Sequence, residues 1–260
     1  MKRVTLLCGL LLAVSATVAS AAGVGLRWTD CLGDGGAVNR TFACASNVGS
    51  QTLVGSFQLG PAGLSQTSGE EIIVDIATAG TTLPAWWGFK NPGTCRTGSI
   101  ALGSALPGSA AGGCSDWAAG GATAGIGAYN IGQRGANTAR VIAASAVPPD
   151  GLQDLAGGTE YFSFTLTINN LKTVGTGSCV GCQVPACLVF NSVNLTTPIL
   201  ANNVKLSGSE VGADANFATW QGGVGVVVAP YPGGNGGAGC GGATPTQNKT
   251  WGAVKSMYHN

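Results

Sequence analysis

Few side chains in this sequence can perform acid–base, nucleophilic or metal chemistry. The only histidine is His259, one residue from the end of the sequence. A Ser–His–Asp triad or a Cys–His pair would have to use that terminal residue, which is difficult to preorganise. The count excludes a histidine-rich metal centre, and no GxSxG, P-loop or HExxH motif occurs. We therefore expect no catalytic residue, no metal and no cofactor.

Paired carboxylates are the remaining route to an enzyme, as in glycoside hydrolases. Glu71 and Asp75 alternate with apolar residues on a predicted strand, so they would share one face. No acidic residue lies in an aromatic-rich motif, and we interpret this face as a solvated outer surface. A hydrolase stays the alternative to a non-catalytic protein. The eleven acidic residues are Asp30, Asp34, Glu70, Glu71, Asp75, Asp116, Asp150, Asp154, Glu160, Glu210 and Asp214.

Nine cysteines occur, and one of them, Cys8, lies in an apolar N-terminal stretch. The other eight form an even set, which in an exported chain predicts disulfide bonds. Eight cysteines allow about 105 pairings, but local pairs that enclose Gly-rich loops are the simplest expectation, Cys31 with Cys44 and Cys95 with Cys114. The eight are Cys31, Cys44, Cys95, Cys114, Cys179, Cys182, Cys187 and Cys240.

Three of these cysteines form a C-x2-C-x4-C motif, Cys179, Cys182 and Cys187. Structural disulfides are the favoured interpretation, because export favours oxidation. A zinc site with Cys240 as the fourth ligand is one alternative. A redox dithiol is another, although glycines surround the motif and no helix follows to lower a thiol pKa.

A second cluster of candidate ligands is the Gly-rich loop that holds Asp30 and Asp34. Calcium takes about six to eight oxygen ligands, and two carboxylates without the spacing of an EF-hand supply too few. We interpret this loop as a turn bounded by a disulfide.

Two adjacent tryptophans, Trp86 and Trp87, precede Phe89 in the segment LPAWWGFK. Neighbouring residues on a strand point to opposite faces, so one indole could be buried while the other is exposed. An exposed tryptophan beside Phe89 could stack on a sugar ring or on an apolar partner surface. These three residues are the candidate ligand-binding site, although burial of both tryptophans in the core or under a loop is the favoured interpretation.

The composition excludes several classes of protein. Charged residues are 9% of the 260 residues, glycine accounts for 44, and the formal net charge is +1. A nucleic-acid-binding protein would need a basic surface, and a coiled coil or charged helical bundle would need far more charge.

The N-terminus predicts export. Lys2 and Arg3 precede an apolar stretch of residues 4–18, and residues 19–21 are small. This pattern predicts a secretory signal peptide over residues 1–21. No later apolar run approaches spanning length, so we expect a secreted protein, extracellular or periplasmic, without a membrane span after cleavage.

The rest of the chain predicts strands. In residues 161–169, the residues Phe162, Phe164, Leu166 and Ile168 share one parity, which is typical of a half-buried antiparallel strand. Apolar and polar residues alternate in the same way over residues 71–76. In residues 188–195 the apolar residues change from even to odd positions, which predicts a β-bulge near Asn191 and Ser192. Other predicted strands cover residues 41–45, 52–57, 124–131, 138–145 and 224–228.

These strands predict an all-β fold, an antiparallel, disulfide-stapled β-sandwich of jelly-roll type, over residues 22–230. A Gly-rich tether and an amphipathic segment follow over residues 231–260. Trp251, Val254 and Tyr258 have the i, i+3, i+7 spacing of one helix face. We expect a short C-terminal helix there, docked either on the sandwich itself or on a partner.

Four segments together resemble a known group of proteins. They are the opening Trp28, Asp30 and Cys31, the segment LPAWW, the block TGSCVGCQVPACLVFNSV and the ending TWGAVKSMYHN. The chain resembles secreted bacterial proteins that end in TWGxxKxxY, where His259 replaces the usual basic residue after the tyrosine. The resemblance implies export to a bacterial envelope or the exterior. It identifies no residue of this chain as catalytic.

The function predicted from the sequence is a secreted, non-catalytic structural or adhesive surface protein. A carbohydrate-binding β-sandwich that uses an exposed tryptophan is the alternative. A glycan or a cell-envelope protein is the expected kind of partner.

Overall fold

The computed structural model describes residues 22–90, 92–107, 114–207 and 216–223, together with Cys240. The predicted signal peptide, the predicted strand over residues 224–228 and the C-terminal segment with Trp251, Val254 and Tyr258 lie outside these residues. No helix in the described part is long and apolar enough to cross a membrane.

The described chain is nearly all β-structure, as predicted, with two short 3₁₀ turns. The strands in chain order are β1 (Gly23–Trp28), β2 (Asn39–Arg40), β3 (Ser50–Gln58), β4 (Leu64–Thr67), β5 (Gly69–Thr78), β6 (Ile100–Gly103), β7 (Ser115–Asp116), β8 (Thr123–Ile131), β9 (Thr138–Ala146), β10 (Gln153–Leu155), β11 (Glu160–Asn169), β12 (Ala186–Thr196), β13 (Val204–Ser207) and β14 (Phe217–Trp220). The 3₁₀ turns are Ala85–Trp87 and Leu200–Asn202.

Two sheets form the sandwich. The front sheet has the strand order β1-β3-β11-β6, with β7 beside β11. The back sheet has the order β2-β14-β12-β5-β9-β8, with β13 also paired to β12. Strands β4 and β10 form a separate two-stranded ribbon. The long pairings are antiparallel, while β7 and β2 pair in parallel.

The main core lies between the inner faces of the two sheets. Ile72, Val74 and Ile76 of β5 are fully buried there, as their alternation predicted. Phe164 of the front sheet meets Phe190 of the back sheet edge to face, with 5.0 Å between the ring centroids. Burial of each such side chain contributes about 1.5–3 kcal/mol, so these residues hold the sheets together.

The bulge predicted in β12 is confirmed. The pairing of β12 with β5 shifts register between Phe190 and Ser192, which leaves Asn191 as the extra residue. The extra residue returns Val193 and Leu195 to the inner face, where both are fully buried.

A second bulge in β11 shows that the expected strict alternation of that strand is wrong. The pairing of β11 with β3 shifts register between Phe162 and Phe164. Phe162 consequently packs with Cys31, Val54 and Cys114 in a small cluster separate from the main core. A phenylalanine suits either apolar cluster, so the sequence does not show this slip.

The predicted strand over residues 41–45 is also wrong, because regular pairing in this region is limited to the two residues of β2. The aromatic ring of Phe42 packs against Trp220 instead, with 3.9 Å between the centroids.

All eight cysteines form disulfides, but the expected local pairs are wrong. The structure links Cys31 with Cys114, Cys44 with Cys182, Cys95 with Cys179 and Cys187 with Cys240. The bonded cysteines are 53 to 138 residues apart in sequence. Loop spacing cannot reveal these pairs, because strand pairing decides which distant segments meet.

Candidate functional site

The tryptophan pair does not form an exposed binding surface, so the structure agrees with the favoured interpretation of burial and removes the candidate ligand-binding site. Trp86 and Trp87 are 0% exposed, and Phe89 is 3% exposed. The two indoles belong to a 3₁₀ turn, where side chains do not alternate as they do on a strand. Both indoles lie against Trp220, with centroids 4.8 and 5.5 Å away. Their role is therefore structural.

A buried arginine completes this aromatic cluster. The guanidinium of Arg96 lies 3.7 Å from the ring centroid of Trp86. It donates hydrogen bonds to the backbone oxygens of Trp86 and Leu171, each at 2.9 Å, and to that of Asn169. Burial lowers the pKa of Arg96 to about 10, so the group stays charged at neutral pH and ties the turn to the end of β11.

Asp75 is not solvated, contrary to the expectation for the outer face of β5. Its carboxylate accepts two hydrogen bonds from the Arg140 guanidinium, at 2.6 and 2.7 Å. Asn191, the bulge residue of β12, donates a third at 2.7 Å. Asp75 and Arg140 are 1% and 3% exposed. The pairing register places them directly opposite each other, and the sequence pattern of β5 alone does not contain that information.

Glu70 is a buried acid that sequence reasoning missed. It is 1% exposed on the inner face of β5, where it accepts a hydrogen bond at 2.6 Å from the hydroxyl of Ser163, the bulge residue of β11. The indole of Trp117 donates another at 3.2 Å. Burial raises the pKa of Glu70 to about 8, despite the opposing effect of these hydrogen bonds and of Ser145. Since Glu70 and Glu71 are adjacent on a strand, one of them must face inward, and that rule could have found this residue.

A cleft of about 860 Å³ opens on the outer face of the back sheet. We call this region the open face. A row of four residues crosses its centre, one each from β9, β5, β12 and β13, which lie opposite one another in the pairing register. These residues are Ala144, Glu71, Asn194 and Lys205. The full lining is Glu71, Ile73, Thr123, Ala124, Gly125, Ile126, Gly127, Ile142, Ala143, Ala144, Ser192, Asn194 and Lys205.

The chemistry available on the open face is hydrogen bonding and packing. Asn194 donates to the Glu71 carboxylate at 2.9 Å, while Ile73 and Ile142 supply half-buried apolar surface. No aromatic residue and no second acid lines this described cleft. Glu71 and Asp75 are four residues apart on β5, or about 13 Å along the strand, whereas paired catalytic carboxyls lie about 5–10 Å apart.

The loop with Asp30 and Asp34 is held by protein groups. The carboxylate of Glu160 accepts hydrogen bonds from the backbone amides of Leu32 and Gly33, at 3.0 and 2.8 Å. Asp34 lies near the sulfurs of Cys31 and Cys114, but those sulfurs are bonded to each other. A disulfide sulfur is not a thiolate ligand, so this cluster does not form a metal site.

Comparisons with known proteins add little to this geometry. No family model and no curated protein matches the chain. Among solved structures, the chain is similar to AggA, the major subunit of aggregative adherence fimbriae type I from Escherichia coli. That likeness has a TM-score of 0.24 and 9% identity, and it covers 76% of this chain and 93% of AggA. At so low a TM-score it carries no argument about function, and the TWGxxKxxY resemblance stays a prediction.

Proposed function

We propose that this chain is a secreted, non-catalytic structural or adhesive protein of a bacterial surface. In this proposal the disulfide-stapled sandwich is the rigid scaffold and the open face is its contact surface. The site of action is the periplasm or the exterior, consistent with four disulfides in the described structure.

One observation carries the proposal: the cysteines and the two buried acids of the described chain, Asp75 and Glu70, hold the sandwich together. All eight cysteines are in disulfides, Asp75 is bound by Arg140 and Asn191, and Glu70 links the two sheets through Ser163. The accessible groups on the open face form no paired acids and no nucleophile–base pair. They suit contact with another surface, which needs shape, apolar area and a few hydrogen bonds.

The experiment compares adhesion by two charge-reversal variants, each at a different exposed acid. Glu71→Lys reverses a charge in the centre of the open face, and Asp150→Lys makes the same change in an exposed turn outside it. We expect the first variant to lower binding of the purified protein to isolated envelope at least tenfold, and the second to bind as wild type. Equal binding by all three proteins, or hydrolysis of any of a panel of polysaccharides and esters, would contradict the proposal.

A glycan-binding module is the second candidate, and the polar row favours it. Glu71, Asn194 and Lys205 present a carboxylate, an amide and an ammonium in one line, with Ile73 and Ile142 beside them. Sugar hydroxyls could hydrogen-bond to this row, although the stacking on Trp86 or Trp87 that the sequence suggested is not available. A glycan array probed with wild type and Asn194→Ala separates the candidates. Glycan binding lost in the variant supports this module, and a blank array with retained envelope binding supports the structural protein.

A further inference from the structure

We infer that one end of the sandwich docks on an anionic phospholipid bilayer, where apolar loop tips insert between the headgroups and lysines bind the phosphates. Three loops form this end. One precedes β3, one connects β5 to β6, and one connects β11 to β12. We call the surface that they form the basic end, and its loops are residues 41–49, 79–90 with 92–99, and 170–185.

Strand pairing brings these three loops together. Ser50, the first residue of β3, pairs with Asn169, the last residue of β11. On the back sheet, Thr78 at the end of β5 pairs with Ala186 at the start of β12. The loop over residues 170–185 passes from the front sheet to the back sheet, so the ends of both sheets form one surface.

Three large apolar side chains protrude from the basic end. Val48, Leu171 and Val180 are 82%, 55% and 76% exposed. They belong to adjoining segments, because the side chain of Asn170 donates a hydrogen bond to the backbone oxygen of Val48 at 2.9 Å. The amide of Cys179, next to Val180, donates to the residue after Leu171 at 2.8 Å. Protruding apolar side chains of this kind can insert into the boundary between headgroups and acyl chains.

The accessible charge of the basic end is positive. Its loops carry two exposed lysines, Lys90 and Lys172, and their sequences contain no aspartate or glutamate. The ammonium of Lys172 donates a hydrogen bond to the backbone oxygen of Cys95 at 2.9 Å, which holds this charge beside Leu171. Lysines next to an anionic bilayer attract it over about one Debye length.

The opposite end of the sandwich combines exposed apolar residues with an acid. The connections that follow β9 and β12, residues 147–152 and 197–203, contain no lysine or arginine, and Asp150 is exposed there. Ile199 and Leu200 at this end are 56% and 81% exposed. A negatively charged surface therefore attracts the basic end and repels the opposite one, which sets the orientation of the docked protein.

Two disulfides fix the loop tips before docking. Cys44–Cys182 ties the loop before β3 to the loop before β12. Cys95–Cys179 ties the loop before β6 to that same loop. Because the tips are already held in place, docking should order few loop residues and lose little conformational entropy.

The combination of apolar tips and lysines favours a bilayer over an acidic polysaccharide. A polysaccharide would bind the lysines and leave Val48, Leu171 and Val180 in water, whereas a bilayer offers phosphates to the lysines and an apolar phase to the tips. The inference adds a second contact surface to the proposed function and does not depend on the open face.

The first test truncates the apolar tips. Cosedimentation with vesicles that mix phosphatidylglycerol and phosphatidylcholine measures the partition coefficient of the disulfide-bonded protein. The double variant Leu171→Ser with Val180→Ser removes two tips, and Ile199→Ser with Leu200→Ser makes a matched change at the opposite end. We expect the first to lower the partition coefficient about tenfold or more, and the second to bind as wild type.

The second test reverses charge. We expect Lys90→Glu to lower the partition coefficient about tenfold or more, and Lys205→Glu, the same change on the open face, to have a much smaller effect. Wild type should bind vesicles of phosphatidylcholine alone more weakly, and raising the salt from about 0.1 M to about 1 M should weaken binding to the mixed vesicles.

Three results would overturn the inference. They are wild type that does not bind the mixed vesicles at about 1 mM lipid, tip variants that bind as wild type does, and an equal loss in the two serine double variants. All substituted side chains are exposed, so thermal unfolding should show that every variant is folded. Since these vesicles contain no protein and no glycan, this test succeeds or fails independently of envelope binding through Glu71.

Discussion

The outer face of the back sheet is closed at one end and open at the other, although β12, β5 and β9 run through both halves. In the closed half, Asp75 and Arg140 form a buried ion pair, and Cys187 is bonded to Cys240. In the open half, Glu71 and Ala144 are exposed. The two acids, Glu71 and Asp75, are only four positions apart on β5.

This difference shows that the position of an acid along β5, and not the fact that it is an acid, decides whether its charge is buried in an ion pair or left exposed. Both acids point to the same side of the sheet. Asp75 has an arginine in register opposite it, and the bulge of β12 supplies an amide. Glu71 has Ala144 on one side and Asn194 on the other. The closed half therefore stabilises the fold, and the open half stays accessible for contacts.

The largest expected effect comes from removing the acid of the closed half. Asp75→Ala leaves the Arg140 guanidinium buried without its carboxylate, which typically costs about 3–5 kcal/mol of unfolding free energy. Urea denaturation with the disulfides intact measures the loss. The double variant Asp75→Leu with Arg140→Met should recover much of it, because neither buried charge of this pair then remains. A loss below about 1 kcal/mol for Asp75→Ala would contradict a structural role for the closed half.

Removing the disulfide of the closed half should come next. The pair Cys187→Ser and Cys240→Ser opens a bond between residues 53 apart, and a native disulfide typically contributes about 2–4 kcal/mol. Thermal and urea unfolding of the double variant measure the loss. Envelope binding at a temperature where the variant is folded should be unchanged, and a parallel loss of binding would show that the two halves are not separate.

On the inner face of the back sheet, titration of the buried acid Glu70 should make the free energy of unfolding depend on pH. Because the folded pKa of Glu70 is raised to about 8, the folded protein keeps a proton that the unfolded chain releases above about pH 4.5. The free energy of unfolding should therefore fall as pH rises from about 4.5 to about 8, by at most about 1.4 kcal/mol per pH unit, and this contribution should be constant outside that window.

The matched variant Glu70→Gln removes the titrating group and keeps the shape. Urea unfolding at a series of pH values should show a smaller slope for the variant than for wild type across this window. Parallel pH profiles for the two proteins would show that Glu70 is not the source of the slope.

The smallest effect is expected in the open half. Asn194→Ala removes one hydrogen bond to Glu71 at an exposed site, so its cost should stay within about 0.5 kcal/mol. Urea unfolding measures this cost beside that of Asp75→Ala. A cost comparable to that of Asp75→Ala would mean that the open half also holds the fold.

The two bulges show how far sequence patterns reach into this fold. In β12 the apolar residues change from even to odd positions, so the bulge at Asn191 can be predicted from the sequence. In β11 the phenylalanine before the bulge packs in a small cluster of its own and the one after it packs in the main core. Both positions therefore keep an apolar residue, and the sequence shows no slip at Ser163, the partner of Glu70.

The sequence by itself determined the all-β class, most of the long strands, the inward residues of β5 and the use of cysteines in disulfides. These properties depend on composition and on the alternation of side chains within one strand. The tertiary structure alone decided which cysteines pair, that Trp86 and Trp87 are buried, and that Asp75 meets Arg140. Each of these depends on contacts between segments distant in sequence, and the register and packing of the two sheets set those contacts.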